Sequence, residues 1–341
     1  MSTFYVDLNA GSNGSGTSSG SPFNNLSSVR SSGATGGDTI RIKATSTISG
    51  SLDLGTLAGS SWGTPLVVLG VNDLSNLTET APITFDASGQ SYGIIGGSNL
   101  VLNNFSVSNA TTAGLNLGSG TKLTRVNVTK GSGSASTAGT LYTSEVHGCN
   151  FSGFTGTQLT LQGVANDCGF SGGTNGLLAV AYGSLLVNRC KFHTFTSGYG
   201  INFPGSASSQ NLGVMNCSFY DMTDAIQIDG GYNGSFQIGP NNFQNVTGYL
   251  VRITGTLTSS AFTVIGHRCY SVGATKYSAG ITDSGTITTA SPLFVNAPTD
   301  MSVVSPYLNT WNLNRSFFAV ESVAGGGGGG GIMGHGLSGG F

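Results

Sequence analysis

The densest run of acidic side chains is FYDMTDAIQIDGG, which carries Asp221, Asp224 and Asp229. Acid–base cleavage of a glycosidic bond needs two carboxyl groups about 5 to 9.5 Å apart, one to protonate the leaving oxygen and one to attack or to activate water. The alternation inside the run limits which acids could serve. Ile226 and Ile228 take one face of an extended strand, so Gln227 and Asp229 take the other. Asp221 and Asp224 read as turn residues and Asp229 as a residue that solvates a surface. Neighbouring segments supply no second carboxylate at a matching position, Asp283 being about two repeats away. No catalytic residue is therefore assigned; if the chain cleaves, Asp229, Asp224 and Asp221 are the acids to hand.

Other chemistry-bearing residues are more dispersed. Arg189, Lys191 and His193 alternate outward in RCKFH, which suits a solvated strand face or an anion contact, because no acidic neighbours gather there for calcium. His147, His193, His267 and His335 are scattered, so neither a metal site nor a cofactor is expected. Only 8% of the residues are charged, against about 25% in typical soluble domains, and the net charge is −2. With no basic run, nucleic acid is excluded as a partner. No apolar stretch approaches the roughly 18 residues of a membrane span, and the opening MSTFYVDLNAGSNGSG has neither the basic nor the apolar part of a secretion signal. The expectation is a chain made in a cytoplasm, with no membrane insertion.

The elements that hold these residues are announced by the cysteines. HGCNFSG, NDCGFSG, NRCKFHT and NCSFYD place Cys149, Cys168, Cys190 and Cys217 two residues before a phenylalanine. Residues i and i+2 of a strand share a face, so Cys and Phe point inward together. Ile83/Phe85, Asn103/Phe105, Val126/Val128 and Asn241/Phe243 fill the same slot. The second members, at 85, 105, 128, 151, 170, 192, 219 and 243, recur about every 23 residues. A second strand follows in most units: GLNLG from Gly114, TQLTLQG from Thr157, GINFPG from Gly200, DAIQIDGG from Asp224 and YLVRITG from Tyr249. Short strands, Gly/Asn/Ser turns and like-on-like stacking define a parallel β-helix, an all-β solenoid here of about ten coils. The four cysteines are expected inside it, unbridged, as small apolar residues.

Aligning the coils puts Asn202, Gln227 and Arg252 in one outward column, with Asp229 and Thr254 beside it. This strip could bind a sugar, with Tyr220, Tyr232 and Tyr249 near in sequence to stack on a ring. At the N-terminus, Phe23, Leu26, Val29 and Arg30 are at helical spacing and suggest a short helix capping the first coil, GDTIRIKA. The expected division is an N-terminal cap over 1–38, the β-helix over 39–310 and an extension over 311–341.

YVDLNAGSNGSGTSSGSPFNNL with GDTIRIKA resembles the opening of right-handed β-helix proteins of the pectin-lyase-like kind, and SPLFVNAPTDMSVVSPYLNT resembles the segment that closes many of them. The resemblance spans about residues 4–310 and implies right-handed coiling. It leaves function to the sites, because the fold hosts lyases, glycosidases, phage tailspikes and adhesins. Polygalacturonase-type enzymes carry an Asp pair, GHG and RIK. Here RIK, Arg41 to Lys43, lies in the first coil and GHG, from Gly334, at the opposite end, so neither has that family's context.

The chain ends in AGGGGGGGIMGHGLSGGF, residues 324–341. An ordered heptaglycine needs partners for every backbone donor and acceptor. Gly325, Gly331, Ile332, Met333, Leu337 and Phe341 therefore read as an attachment tail, apolar anchors on a thin backbone. Low charge, a β-helix from the start and such a tail resemble bacteriophage virion proteins of the tailspike, fibre-tip or decoration type. That resemblance implies a virion location, a glycine-rich homotrimer, contact with other virion proteins through the tail, and a non-enzymatic adhesin that touches host glycan. A polysaccharide depolymerase is the alternative.

Overall fold

The computed structural model describes residues 1–303 except 77–80, 181–182, 205–210, 231–234, 256–261, 265–266, 274–275, 279–280, 282–286, 289–292 and 298–299. Asp283, Tyr232 and the whole attachment tail, Gly325 to Phe341, lie outside the described residues. The chain winds into a right-handed parallel β-helix of about 8 turns, roughly in line with the ten or so coils expected.

One local rule generates most coils. Strands such as Leu100–Ser108 and Lys122–Thr129 run from a first sheet into a second and bend at one left-handed residue, Asn104 (φ 71°) or Arg125 (φ 51°). Gly148, Asp167, Arg189 and Asn216 hold the equivalent corner in later coils, all at positive φ. Gly, Asn and Asp tolerate this conformation at little cost. Arg189 is held there by a two-pronged pair, its Nε and Nη2 each donating to Asp167 at 2.6 Å. Arg189 is thus a corner residue, and only Lys191 and His193 share the strand face expected for all three.

The residue after each corner points inward, forming the column Phe105, Val126, Cys149, Cys168, Cys190, Cys217, Asn241 and His267. Two residues on runs a second column, Phe85, Val107, Val128, Phe151, Phe170, Phe192, Phe219, Phe243 and Cys269. Phe105 therefore belongs with the cysteines, not with the phenylalanines. The repeat count slipped there by one alternation, because the pair Phe105/Val107 repeats the spacing of the slot. Rings from Phe170 to Phe243 stack with centroids 5.0 Å apart, close to the coil spacing of about 4.8 Å. All five cysteines are buried and unbridged. Each of the four in the first column donates its thiol to the carbonyl two residues back, Cys168 to Asn166 at 3.1 Å for example. Burial pushes the thiols of Cys149, Cys168 and Cys190 well up.

At the N-terminal end the helix Leu26–Arg30 is capped by Asn25, whose side chain accepts from Ser28 N at 2.8 Å, and Val29 is fully buried. Phe23 precedes the helix in extended backbone, bridged to Val6. Thr3–Asp7 pairs in parallel with Thr39–Lys43 and forms the lowest rung. The closing phrase supplies an antiparallel pair, Phe294–Asn296 with Asp300–Val303. Just before it, Leu293 packs fully buried against Tyr220 and Tyr270.

Candidate functional site

A third sheet, formed by the ends of Lys191–Phe203 and Ser218–Asp229 with Val251–Thr254, carries the strip. Asn202 lies opposite Gln227 and Gln227 opposite Arg252, while Asp229 faces Thr254. Ile226 and Ile228 are fully buried beneath them, which fixes the outward parity of the polar residues. Arg252 is the open member, its side chain 41% exposed, and its guanidinium sits 5.5 Å from the centre of the Tyr249 ring. Such a cation–π contact fixes the orientation of a solvated cation. Gln227 is buried.

The three acids have three different fates. Asp221 is a corner residue at φ 55°, in the second left-handed column with Gly153, Gly172, Thr194, Asn245 and Ser271. Asp224 is only 3% exposed; Oδ1 accepts from Tyr249 N at 2.7 Å and Oδ2 from Arg252 Nη1 at 2.9 Å. It was expected as a turn residue, but the structure uses it as a buried acceptor that ties neighbouring coils. That hydrogen bond raises the Arg252 pKa further, with burial opposing it. Asp229 Oδ1 accepts from Gln227 Nε2 and Thr254 Oγ1, both at 2.7 Å. Five residues of extended strand place Asp224 and Asp229 about 16 Å apart on opposite parity, beyond the window for paired-carboxylate cleavage.

The other expected residues are dispersed. Tyr220 lies on the second sheet, packed with Tyr270 and Leu293, away from the strip. In RIK, Lys43 pairs with Asp7 at 3.0 Å and Arg41 donates to Leu74 O at 3.0 Å, both structural contacts. Burial lowers the His193 pKa, with Asp221 opposing it.

A cluster on the outer face of the first sheet escaped the sequence reading. Register sets Glu145 opposite Lys122, and its carboxylate accepts from Lys122 Nζ at 3.2 Å and from His147 Nε2 at 3.0 Å. Burial pushes the Glu145 carboxyl up, but the hydrogen bonds from His147 and Lys122 outweigh it and leave the pKa below the usual value. Asn166 Nδ2 donates to the other ring nitrogen of His147 at 3.4 Å. The sequence signal was EVH, an acid and a base two apart on one strand face; its partner Lys122 is 23 residues away and visible only in register. Among the described residues, no three His, Cys, Asp or Glu side chains group as metal ligands do.

No family model matches the chain, and no curated protein does either. Solved structures of similar fold include pectate lyase Pel9A, 15% identical over 89% of this chain and 85% of that one, TM-score 0.54. The GH136 lacto-N-biosidase from Eubacterium ramulus is 11% identical, TM-score 0.56, over 84% of this chain and 68% of that one. At such identities the likeness is one of fold: this chain is built as a parallel β-helix of the kind that pectate lyase has.

Proposed function

We propose that this β-helix holds a saccharide on its third-sheet flank without cleaving it, as an adhesin does, with Asn202, Gln227, Asp229 and Arg252 as the contact strip. The observation that carries the reading is the employment of the acids. Asp224 is buried with both oxygens occupied, Asp229 is bonded by Gln227 and Thr254, and the two are too far apart to flank one bond. What the strip offers is one oriented, exposed cation, Arg252, flanked by the half-buried Asn202, Asp229 and Thr254, with Gln227 buried among them, an arrangement suited to binding.

A bacteriophage virion is the setting we propose, with the chain as a homotrimeric spike, fibre-tip or decoration protein attached by Gly325, Gly331, Ile332, Met333, Leu337 and Phe341. Its support is composition: 8% charge and a surface solvated by Ser, Thr and Asn suit side-by-side association. Truncation after Val323 tests it, and normal incorporation of the truncated chain into particles would refute the tail's role. The strip is tested by electrophoresis through polysaccharide-containing gels, where Arg252→Ala should lose the retardation that the intact chain shows. Depolymerisation is favoured by one specific observation, the Glu145 carboxylate held between His147 and Lys122. In that second reading Glu145→Gln abolishes product release.

A further inference from the structure

Among the described residues, two large aromatic side chains stand out of the solenoid surface: Trp62, 49% exposed, and Tyr142, 48% exposed. Gly120 lies between the Tyr142 backbone and the Trp62 ring. Gly120 N donates to Tyr142 O at 3.0 Å, and a methyl group placed on Gly120 would lie 3.5 Å from the Trp62 ring and 2.4 Å from Asn99 Oδ1. Glycine is required at 120 by its φ of +71° and by Asn99, while the Trp62 ring lies at ordinary contact distance from this corner.

The backbone that carries each ring is held in place. Trp62 sits at the tip of a tight turn closed by Thr64 N to Ser61 O at 3.1 Å, Ser60 N to Thr64 O at 3.1 Å and a Ser61–Thr64 hydroxyl contact at 2.9 Å. Tyr142 precedes a left-handed bend at Thr143, and its carbonyl accepts from both Gly120 N and the buried Ser144 hydroxyl. An aromatic side chain on a fixed backbone has only two torsions left to order on binding, so its contact area comes at a low entropic cost. Further along the Tyr142 strand, Thr140–His147, stand Glu145 and His147, and Lys122 lies opposite Glu145 on the neighbouring strand; they supply donors and an acceptor at the rim.

We infer that Trp62 and Tyr142 form a stacking platform for a pyranose ring of a polysaccharide. The C–H face of a sugar ring is apolar and its edge is polar, which matches two aromatic faces with a hydrogen-bonding rim. This rests on the glycan-contact reading and extends it. Thr140, two residues before Tyr142, stands in the same column as the strip, through Thr160 and Leu178 to Asn202 and Gln227. Four coil steps, about 19 Å, separate Thr140 from Gln227. One oligosaccharide lying along this flank would reach both.

Affinity electrophoresis through gels containing xylan, alginate, polygalacturonate or a bacterial O-polysaccharide tests the platform. The intact chain should be retarded in at least one gel. Trp62→Ala and Tyr142→Ala should each weaken that retention about tenfold, and Tyr142→Phe should leave it unchanged because stacking uses the ring. Both side chains are half in solvent, and circular dichroism checks that the variants fold. Retention lost with Arg252→Ala but kept by both alanine variants overturns the platform and leaves the strip standing. Retention lost with the aromatic variants alone supports the platform and removes the strip. No retardation of the intact chain in any gel overturns both. If the aromatic variants keep retention but turn an oligomer into a monomer by light scattering, the rings are an interface between copies and the platform is overturned.

Discussion

Arg252 reaches across one step of the solenoid to Asp224, donating from Nη1 to Oδ2 at 2.9 Å, and the carboxylate that receives it is 3% exposed. A carboxylate placed this way tethers coils, each of its oxygens accepting from the next coil. Its partner projects outward, anchored at the base and open at the rim.

Replacing Asp224 by Ala leaves Tyr249 N without its acceptor and frees Arg252 to rehydrate. The expected cost is about 2 kcal/mol, a lost charge-assisted bond to a buried acceptor softened by the exposure of the arginine. Urea unfolding measures it, and a midpoint equal to that of the intact chain would contradict the tether.

Phe192 lies between Phe170 and Phe219, each 5.0 Å away ring to ring. Phe192→Ala should destabilise by about 3 to 5 kcal/mol, because neighbouring coils are fixed by their ladders and cannot collapse into the cavity. Thermal unfolding reports the loss.

The periodic core was legible in the sequence for a physical reason. Cys-x-Phe repeats because each coil presents the same two inward slots, so Cys149, Cys168, Cys190 and Cys217 gave both the repeat and its parity. The strip was legible for the same reason, since stacking equivalent strands brings Asn202, Gln227 and Arg252 into line. What could not be read was how side chains use the space between coils. Asp224 looked like a turn residue because its partners, Tyr249 and Arg252, come from the next coil. Lys122 and Glu145 give no local sign of their pairing for the same reason, and Arg189 looked like a strand residue because nothing local marks an arginine as left-handed. Phe105 misled because its own coil offers two apolar residues at the repeat spacing.

Glu145 gives a pH signature. Its folded pKa lies below the ordinary 4.5, so its contribution to stability is present above that pH and is lost as the pH falls through the lowered folded value. Glu145→Gln should therefore be slightly less stable than the intact chain at pH 7, by under about 1 kcal/mol for so exposed a cluster, and the difference should vanish in acid. Paired urea titrations at pH 7 and pH 3 check this; a gap that widens in acid would contradict the assignment.

The thiols should be silent in the folded chain. Burial closes access to all five and raises the pKa of Cys149, Cys168 and Cys190, so iodoacetamide at pH 8 should label none of the five cysteines until urea unfolds the chain. Mass spectrometry counts the adducts, and rapid labelling of Cys190 in the native state would place the inner column wrongly.

The central claim is that this flank holds saccharide without cutting it. The most direct measurement incubates the intact chain with a polysaccharide that retards it and follows new reducing ends together with absorbance from unsaturated sugars. Retention with neither product above the rate of a protein-free control is the expected result. Product release that disappears in Asp229→Asn or in Glu145→Gln would contradict it and make the chain a depolymerase.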